Sequence, residues 1–358
     1  MTVPMQNSAE KTRTYQDYIR YKIFILILFV FLTILAAFLA IIAGAAGLSF
    51  KEVLLTLIGR GTEMNKTVIF GLRLPRILTA IIAGIGLAVT GCAMQSILRN
   101  PLASASTIGV SQGAAFGAAF AIVVLGAGVQ YHTSEGVTVT NPYLVSICAF
   151  VFSLLSTFVV LGLSRFREVS PETMILSGVA LSALFSGGTT IIQYFADDVS
   201  LSAIVFWTFG DMGRASWQQI GIMGGVTLLA FIYFLFNRWN YNALESGESS
   251  AKGLGVNVNA MRLVGMVICS FTAAVIVSFV GIVNFVGLIS PHVMRRCIGG
   301  DYRFLLPASA LMGALMLLFS DIVARLVVSP VVLPIGAITS FLGAPLFLYL
   351  IFKGVGRS

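Results

Sequence analysis

The sequence predicts an all-α integral membrane protein with about ten transmembrane helices. Three observations carry that reading. The 358 residues are 58% hydrophobic and only 10% charged, with a mean hydropathy of +0.96, whereas soluble domains are nearer a quarter charged. Between Ile77 and Met94 there is no polar face, so the solvent of that helix is lipid or other helices. Apolar runs of that kind recur along the chain at about the 20-residue length that a hydrocarbon core requires.

Taken in order, hydropathy places spans at roughly 21–43, 74–97, 107–127, 142–164, 172–195, 216–237, 261–282, 284–297, 304–326 and 335–352. The first is too long for the apolar core of a secretory signal and reads as a retained span. The eighth is short and interrupted by Pro291, which predicts a half-helix supported by its neighbours. The chain then divides into an N-terminal tail (1–20), one membrane domain (21–352) and a C-terminal tail (353–358). With the N-terminus inside, the inner segments hold 15 of the 22 lysines and arginines and the outer ones 7. Basic residues collect on the cytoplasmic side, so both termini are expected there, in the cytoplasmic membrane. The net charge of +8 reflects this bias and not a nucleic-acid partner.

One outer segment runs against the rule. Lys51, Arg60, Lys66, Arg73 and Arg76 all lie between spans one and two. Two readings stand: arginines snorkelling to headgroups, or a docking surface for an acidic extracytoplasmic partner. In span three, Gly109, Gly113 and Gly117 recur every four residues, a face that lets helix backbones approach closely. There is also an internal echo. Gly91 is followed by Asn100-Pro101 at the offsets at which Gly281 is followed by Ser290-Pro291, and Gly113-Ala114 echoes Gly313-Ala314. The copies begin five spans apart, so they have opposite orientation, as inverted repeats of transporters do. The longest inner loop, 238–260, is polar and predicts one or two short helices that either connect or seat a peripheral protein.

The charged residues exclude several chemistries. Of fourteen acidic residues only Asp321 lies clearly within a span, near its outer end, with Arg325 four residues on as a helical partner. Proton-coupled carriers need ionisable groups at mid-membrane, so the energy is expected to come from outside the chain. The nearest phosphate-loop candidate, Arg60 to Thr67, lacks both flanking glycines. His132 and His292 are 160 residues apart and predict no metal site; His292 is expected to make a helix-terminal hydrogen bond. Cys92, Cys148, Cys269 and Cys297 form no paired motif and read as small core residues. No nucleophile and base are patterned together, so the chain is not expected to be an enzyme.

A set of short motifs runs through positions 73–352. They are Arg73-Leu-Pro-Arg76, Gly91 with Gln95, Asn100-Pro-Leu-Ala103 and Gly109-Val-Ser-Gln-Gly-Ala114. The second half adds Phe285-Val-Gly-Leu-Ile-Ser-Pro-His292 with Arg295, Leu306-Pro307, Asp321 to Arg325, Leu333-Pro-Ile-Gly336 and Gly343-Ala-Pro345. In this order they resemble the FecCD/cobalamin-type permease subunits of type II ABC importers, which move iron–siderophore complexes, haem and cobalamin.

The resemblance implies a ten-span, inverted-repeat permease that pairs with a second copy, with the pathway between the two. Each copy would seat one ATPase subunit, which carries the ATP and magnesium; no cofactor is expected in this chain. A substrate-binding protein would dock on the outer face at Arg73, Arg76 and Arg325. Gly247, Glu248, Ser250, Ala251, Lys252, Leu254 and Gly255 match the coupling element that enters the ATPase cleft. Ser170 and Thr173 match the cytoplasmic gate, and Gln95 and Asn100 are assigned with them to the gate and pathway. The implied cargo is a bulky metal chelate, first an iron(III)–siderophore, with cobalamin or haem as alternatives. A gradient-driven carrier and an integral membrane enzyme are the competing readings. Two departures stand out. Val332 occupies a place where the family often has glutamate, and Pro171 intrudes among the small polar residues of the gate.

Overall fold

The structure, a computed structural model, describes residues 15–44, 49–127, 129–132, 136–139, 141–166, 170–329 and 331–355. Each of the ten expected spans is helical. The helices are α1 (Tyr15–Ile42), α2 (Phe50–Leu57), α3 (Glu63–Ile97), α4 (Val110–Val124), α5 (Pro142–Phe166), α6 (Pro171–Phe195) and α7 (Asp198–Thr208). They continue with α8 (Trp217–Phe236), α9 (Arg238–Glu245), α10 (Glu248–Gly253), α11 (Val258–Val280), α12 (Val286–Ile298), α13 (Tyr302–Leu326) and α14 (Ile335–Val355). Seven of these, α1, α3, α5, α6, α8, α11 and α13, are long and apolar enough to cross a membrane. The other three expected spans are α4, α12 and α14. Helix α1 begins inside the expected N-terminal tail, whose residues 1–14 lie outside the described residues, as do residues 356–358 of the C-terminal tail.

The two proline positions are resolved differently. Pro75 lies within α3 and can give no N–H to the preceding turn. That turn, Thr67–Arg73, is π-helical, and its wider winding accommodates the ring. Pro291 does not interrupt α12, which runs unbroken from Val286 to Ile298. The carbonyl it leaves free, that of Gly287, lies against Gly91 of α3: a Cβ at Gly91 would collide with it. What makes α12 a half-helix is its start, where Phe285 takes a left-handed conformation with φ 65°.

The packing has the symmetry the echo predicted. The lead helices of the two repeats, α3 and α11, pack on each other. Each also packs on the third span of the opposite copy, α3 on α13 and α11 on α5. In each copy the second span lies on the third, α4 on α5 and α12 on α13. Small residues make these crossings close. A Cβ at Gly313 would stand 2.5 Å from the Cβ of Ala88. The ladder of α4 abuts α5 as a packing face: a Cβ at Gly113 would stand 2.6 Å from the Phe152 carbonyl oxygen. Ser153 and Ser156 hydroxyls of α5 donate to the carbonyls of Val110 and Ile108, at 3.0 and 2.7 Å. Larger side chains pack elsewhere, as where Phe150 of α5 meets Phe271 of α11 edge to face at 5.5 Å.

Some elements have no counterpart in the hydropathy pattern. Helices α2 and α7 are too short to register as spans. Strands β1 (Val129–His132) and β2 (Gly136–Val139) form an antiparallel hairpin pairing Val129 with Val139. At the other extreme, α6 and α14 leave Leu176, Leu184, Tyr194, Phe341 and Phe352 exposed, a surface suited to lipid or a further helix and not to water.

Candidate functional site at the two ends of the bundle

At one end of the bundle the 238–260 loop folds into α9 and α10. Tyr241 and Leu244, three apart on α9, are fully buried, and Tyr241 stacks on Tyr302 of α13 with ring centroids 4.8 Å apart. The chain leaves α9 through Gly247 (φ 116°) and leaves α10 through Gly255 (φ 83°), conformations that only glycine adopts without strain. Between them Ala251 is buried, whereas Ser250, Lys252 and Leu254 are exposed, Leu254 by 73%. Glu248 accepts from Arg262 of α11 at 2.7 Å and pairs with Lys252 at 3.1 Å. The Arg262 hydrogen bond, then Lys252, holds its carboxyl below the usual carboxylate range. Arg262 also donates to the Ile97 carbonyl at the end of α3, at 3.4 Å. The expected coupling residues therefore form one protruding helix with an apolar tip.

Three further contacts tie α9 to the spans. Asn242 accepts from the Tyr302 N–H at 2.7 Å and donates to Asp301 at 3.2 Å, at the start of α13. Glu245 accepts from the Ser96 hydroxyl of α3 at 2.9 Å and from Arg295 of α12 at 2.7 Å. Beside them a cavity of about 240 Å³ is lined by Gln95, Ser96, Asn100, Glu245 and Arg295, among others. Gln95 is only 4% exposed and donates to the Leu288 carbonyl of α12 at 3.0 Å. Asn100 turns the chain after α3, its side chain accepting from the Leu102 N–H at 2.8 Å. Ser170 caps α6: its hydroxyl accepts from the Thr173 N–H at 3.2 Å and lies 3.0 Å from the Thr173 hydroxyl. Pro171 occupies the first turn of that helix, where a missing N–H is harmless and the fixed φ is helical, so it supports the cap instead of disturbing it.

At the opposite end Arg73, Arg76 and Arg325 come together around the C-terminus of α1. Arg73 donates to the carbonyls of Ile41 and Ile42 at 2.5 and 3.1 Å. Arg325 donates to those of Ala40 and Ala43 at 3.1 and 2.8 Å. These are last-turn carbonyls with no partner inside the helix, at its negative dipole end. Arg76 donates to Asp321 at 2.6 Å and pairs with Asp211 at 3.2 Å. Arg325 pairs with the other oxygen of Asp321 at 2.9 Å, as the four-residue spacing predicted. A cavity of about 580 Å³ opens here, lined by Arg73, Arg76, Asp211, Trp217 and Arg325 with others. The arginines are turned inward, Arg73 to 6% exposure, so they are bound by the protein as well as lining the mouth. The exposed cations are Lys51 and Arg60; Lys66 pairs with Glu63 at 2.8 Å. Asp211 was not legible as a site residue, since its partner lies more than a hundred positions away. Val332 is exposed and apolar.

The remaining candidates are structural. Cys92, Cys148 and Cys269 are buried, Cys297 is exposed, and all four are free. His292 makes no helix-terminal hydrogen bond: it lies inside α12 against Phe347, centroids 5.9 Å apart, and its Nε2 has no partner. Among the described residues no group of three His, Cys, Asp or Glu side chains could hold a metal ion.

Seven helices long and apolar enough to cross a membrane, with shorter helices between them, repeats in opposite orientation after α1, a two-helix loop at one end and a charged mouth at the other, define a transport permease. The chain belongs to the FecCD transport family, whose model matches residues 32–353. It is 51% identical over 339 residues to a chain of Methanocaldococcus jannaschii named for an ABC transporter permease, covering 95% of this chain and 97% of that one. It is 34% identical over 330 residues to the hemin transport system permease of Yersinia pestis, covering 92% and 94%. A solved structure described as an inward-facing conformation of a metal-chelate type ABC transporter superposes with a TM-score of 0.80 at 32% identity, covering 92% of this chain and 99% of that one. The ten-helix, inverted-repeat architecture expected of a type II importer permease is thereby shown.

Proposed function

We propose that the chain is the membrane-spanning half of an ATP-driven importer for an iron(III)–siderophore. Two copies pair, with the pathway between them, and each seats a separate ATPase subunit. The observation that carries this reading is the exposed helix α10 with its Leu254 tip, a shape suited to a cleft in a peripheral protein. Glu248, Ser250, Ala251 and Lys252, framed by Gly247 and Gly255, are its coupling residues. In this reading that end is cytoplasmic, with both termini beside it in the cytoplasmic membrane. The opposite end receives the binding protein, with Arg73, Arg76 and Arg325 at its mouth. Ser170 and Thr173 gate the inner exit, and Gln95 and Asn100 lie on the moving side of it. ATP and magnesium belong to the ATPase, and the chain performs no catalysis.

The hemin permease relative and the metal-chelate transporter support a bulky metal chelate as the cargo class, and the iron(III)–siderophore is the first reading within it. Cobalamin or haem is the alternative cargo. The affinity would reside in the binding protein, because a passage must release what enters it. The test is uptake of radiolabelled ferric siderophore, haem or cobalamin by vesicles reconstituted with the permease, its ATPase and its binding protein. ATP-dependent accumulation of the siderophore, with little of the others, is the expected result. Uptake driven by an ion gradient without ATP overturns the importer reading, and preference for cobalamin or haem overturns the cargo.

A further inference from the structure

The coupling helix touches the ATPase in the reading above, but the way its movement reaches the membrane is a separate question. Helix α10 is six residues long and hangs between two glycines with positive φ. It is anchored to α11 by Glu248 and Arg262. Helix α9 is different. Tyr241, Asn242 and Leu244 face α13 and α3, and the more exposed Glu245 at the edge of that face reaches Ser96 of α3 and Arg295 of α12. Tyr241, Leu244 and Asn242 hold α9 to the bundle through apolar burial and the start of α13. Glu245 alone bridges two helices of opposite repeats: Ser96 belongs to α3 in the first copy and Arg295 to α12 in the second.

That bridge lies beside two direct contacts between the repeats, Arg262 to the Ile97 carbonyl and Gln95 to the Leu288 carbonyl. Above it α3 and α12 meet at Gly91 and Gly287 and through Gln95. Beside the bridge the cavity of about 240 Å³ has Glu245 and Arg295 in its wall. Arg99, on the same wall, takes a left-handed conformation with φ 45°, uncommon for a residue with a long side chain. Glu245 thus adds a tie from α9 to both helices beside this cavity, next to the direct bond from Gln95 to Leu288.

We propose that Glu245 is a positioning residue that links the coupling helices to both repeats, so that displacement of α9 moves the end of α12 relative to the Asn100 break after α3. This rests on the importer reading above. The charge-assisted contact to Arg295 at 2.7 Å and the hydroxyl contact to Ser96 at 2.9 Å fix one carboxylate to both helices with defined geometry. The helix surface that meets the ATPase is on α10, so Glu245 acts behind that interface.

The experiment uses the full permease–ATPase complex in vesicles, with binding protein and labelled cargo, and measures ATP hydrolysed per cargo molecule moved. Glu245→Gln should leave the complex assembled and basal hydrolysis within about two-fold of the natural protein, while uptake falls about ten-fold. The exchange Glu245→Arg with Arg295→Glu should recover part of the cargo moved per ATP hydrolysed, a ratio that loss of folded complex alone would not change. Ser96→Ala removes one arm with little change of volume and serves if Glu245→Gln fails to assemble: reduced uptake at retained hydrolysis supports the proposal. Uptake and hydrolysis that stay coupled as in the natural protein, in Glu245→Gln or in Ser96→Ala, overturn it. If the unmodified complex shows no ATP-dependent uptake, the importer reading itself fails and the proposal falls with it.

Discussion

Replacing Asp321 by asparagine is the sharpest test of the charged mouth. Its side chain is fully buried, and both of its oxygens face arginines: Arg76 at 2.6 Å and Arg325 at 2.9 Å. Removing one member of a buried ion pair costs about 3–5 kcal/mol, because a charge is left uncompensated. Here the loss is smaller. Arg76 keeps Asp211 at 3.2 Å, and Arg325 keeps the carbonyls of Ala40 and Ala43, so about 2–3 kcal/mol is expected for Asp321→Asn. Asp211→Asn is the control. Asp211 is far more exposed, 44% against zero, and its loss should cost about 0–1 kcal/mol. The assay is reversible unfolding in mixed detergent micelles, read by tryptophan fluorescence. A midpoint for Asp321→Asn no lower than that for Asp211→Asn would refute the view that Asp321 is the centre of the cluster. The pair Asp321→Asn with Arg325→Gln should also cost less than the two singles summed, since they share one interaction.

Four other outcomes follow from the geometry. Gly91→Val places side-chain atoms where the Gly287 carbonyl lies, and should lower the yield of folded protein, measured by size-exclusion monodispersity, far more than Gly162→Val, where nothing is near. Ser170→Ala removes the cap of α6 and should cost about 1 kcal/mol, seen as faster proteolysis near residue 170, with Ser170→Asp restoring it. The Glu248 carboxyl is depressed by Arg262 and Lys252. Its contribution to docking of α10 is therefore present above its unfolded value and lost as pH falls through the lower folded value; hydrogen exchange in 248–253 should stay slow at neutral pH and rise only in acid, and Arg262→Gln should move that rise to higher pH. Arg73→Gln strips donors from the Ile41 and Ile42 carbonyls and, if Arg73 also meets the binding protein, should weaken that complex most at low salt, where charges are least screened; affinity independent of salt and variant by calorimetry would remove Arg73 from the docking surface.

Much of the fold was legible because lipid imposes a length. Runs of about twenty apolar residues admit few readings, and the spans from 74–97 to 304–326 fell within a few residues of the helices found. The inverted repeat was expected from an echo of Gly91 with Gly281 and of Gly113 with Gly313; two of these, Gly91 and Gly313, lie in crossings with Gly287 and Gly84 that demand a residue without a side chain. The short helices α2, α7, α9 and α10 were less visible, since eight or so residues leave no periodic signal of their own. The site was legible in its residues and not in its contacts. Arg73 and Arg76 could be singled out as charges in the wrong place and Arg325 through the family resemblance, but that Arg73 and Arg325 cap α1 depends on pairings across 32, 31 and 285 positions. Glu245 looked like any loop carboxylate, because Ser96 and Arg295 lie 149 and 50 residues from it. Pro171 misled for the opposite reason: it was judged by its residue type, and the helix start it occupies gave it a favourable place.

The glycine crossings have one mechanical outcome. Where α3 meets α12 and α13, main chain lies directly on main chain, with no rotamers between to yield. Such a joint cannot shear by fractions of an ångström, as a seam of leucines can; it holds or it parts. These crossings therefore act as a fulcrum, and any rearrangement the protein undergoes is left to the helix ends beyond them and to the loosely covered rods α6 and α14 at the flank.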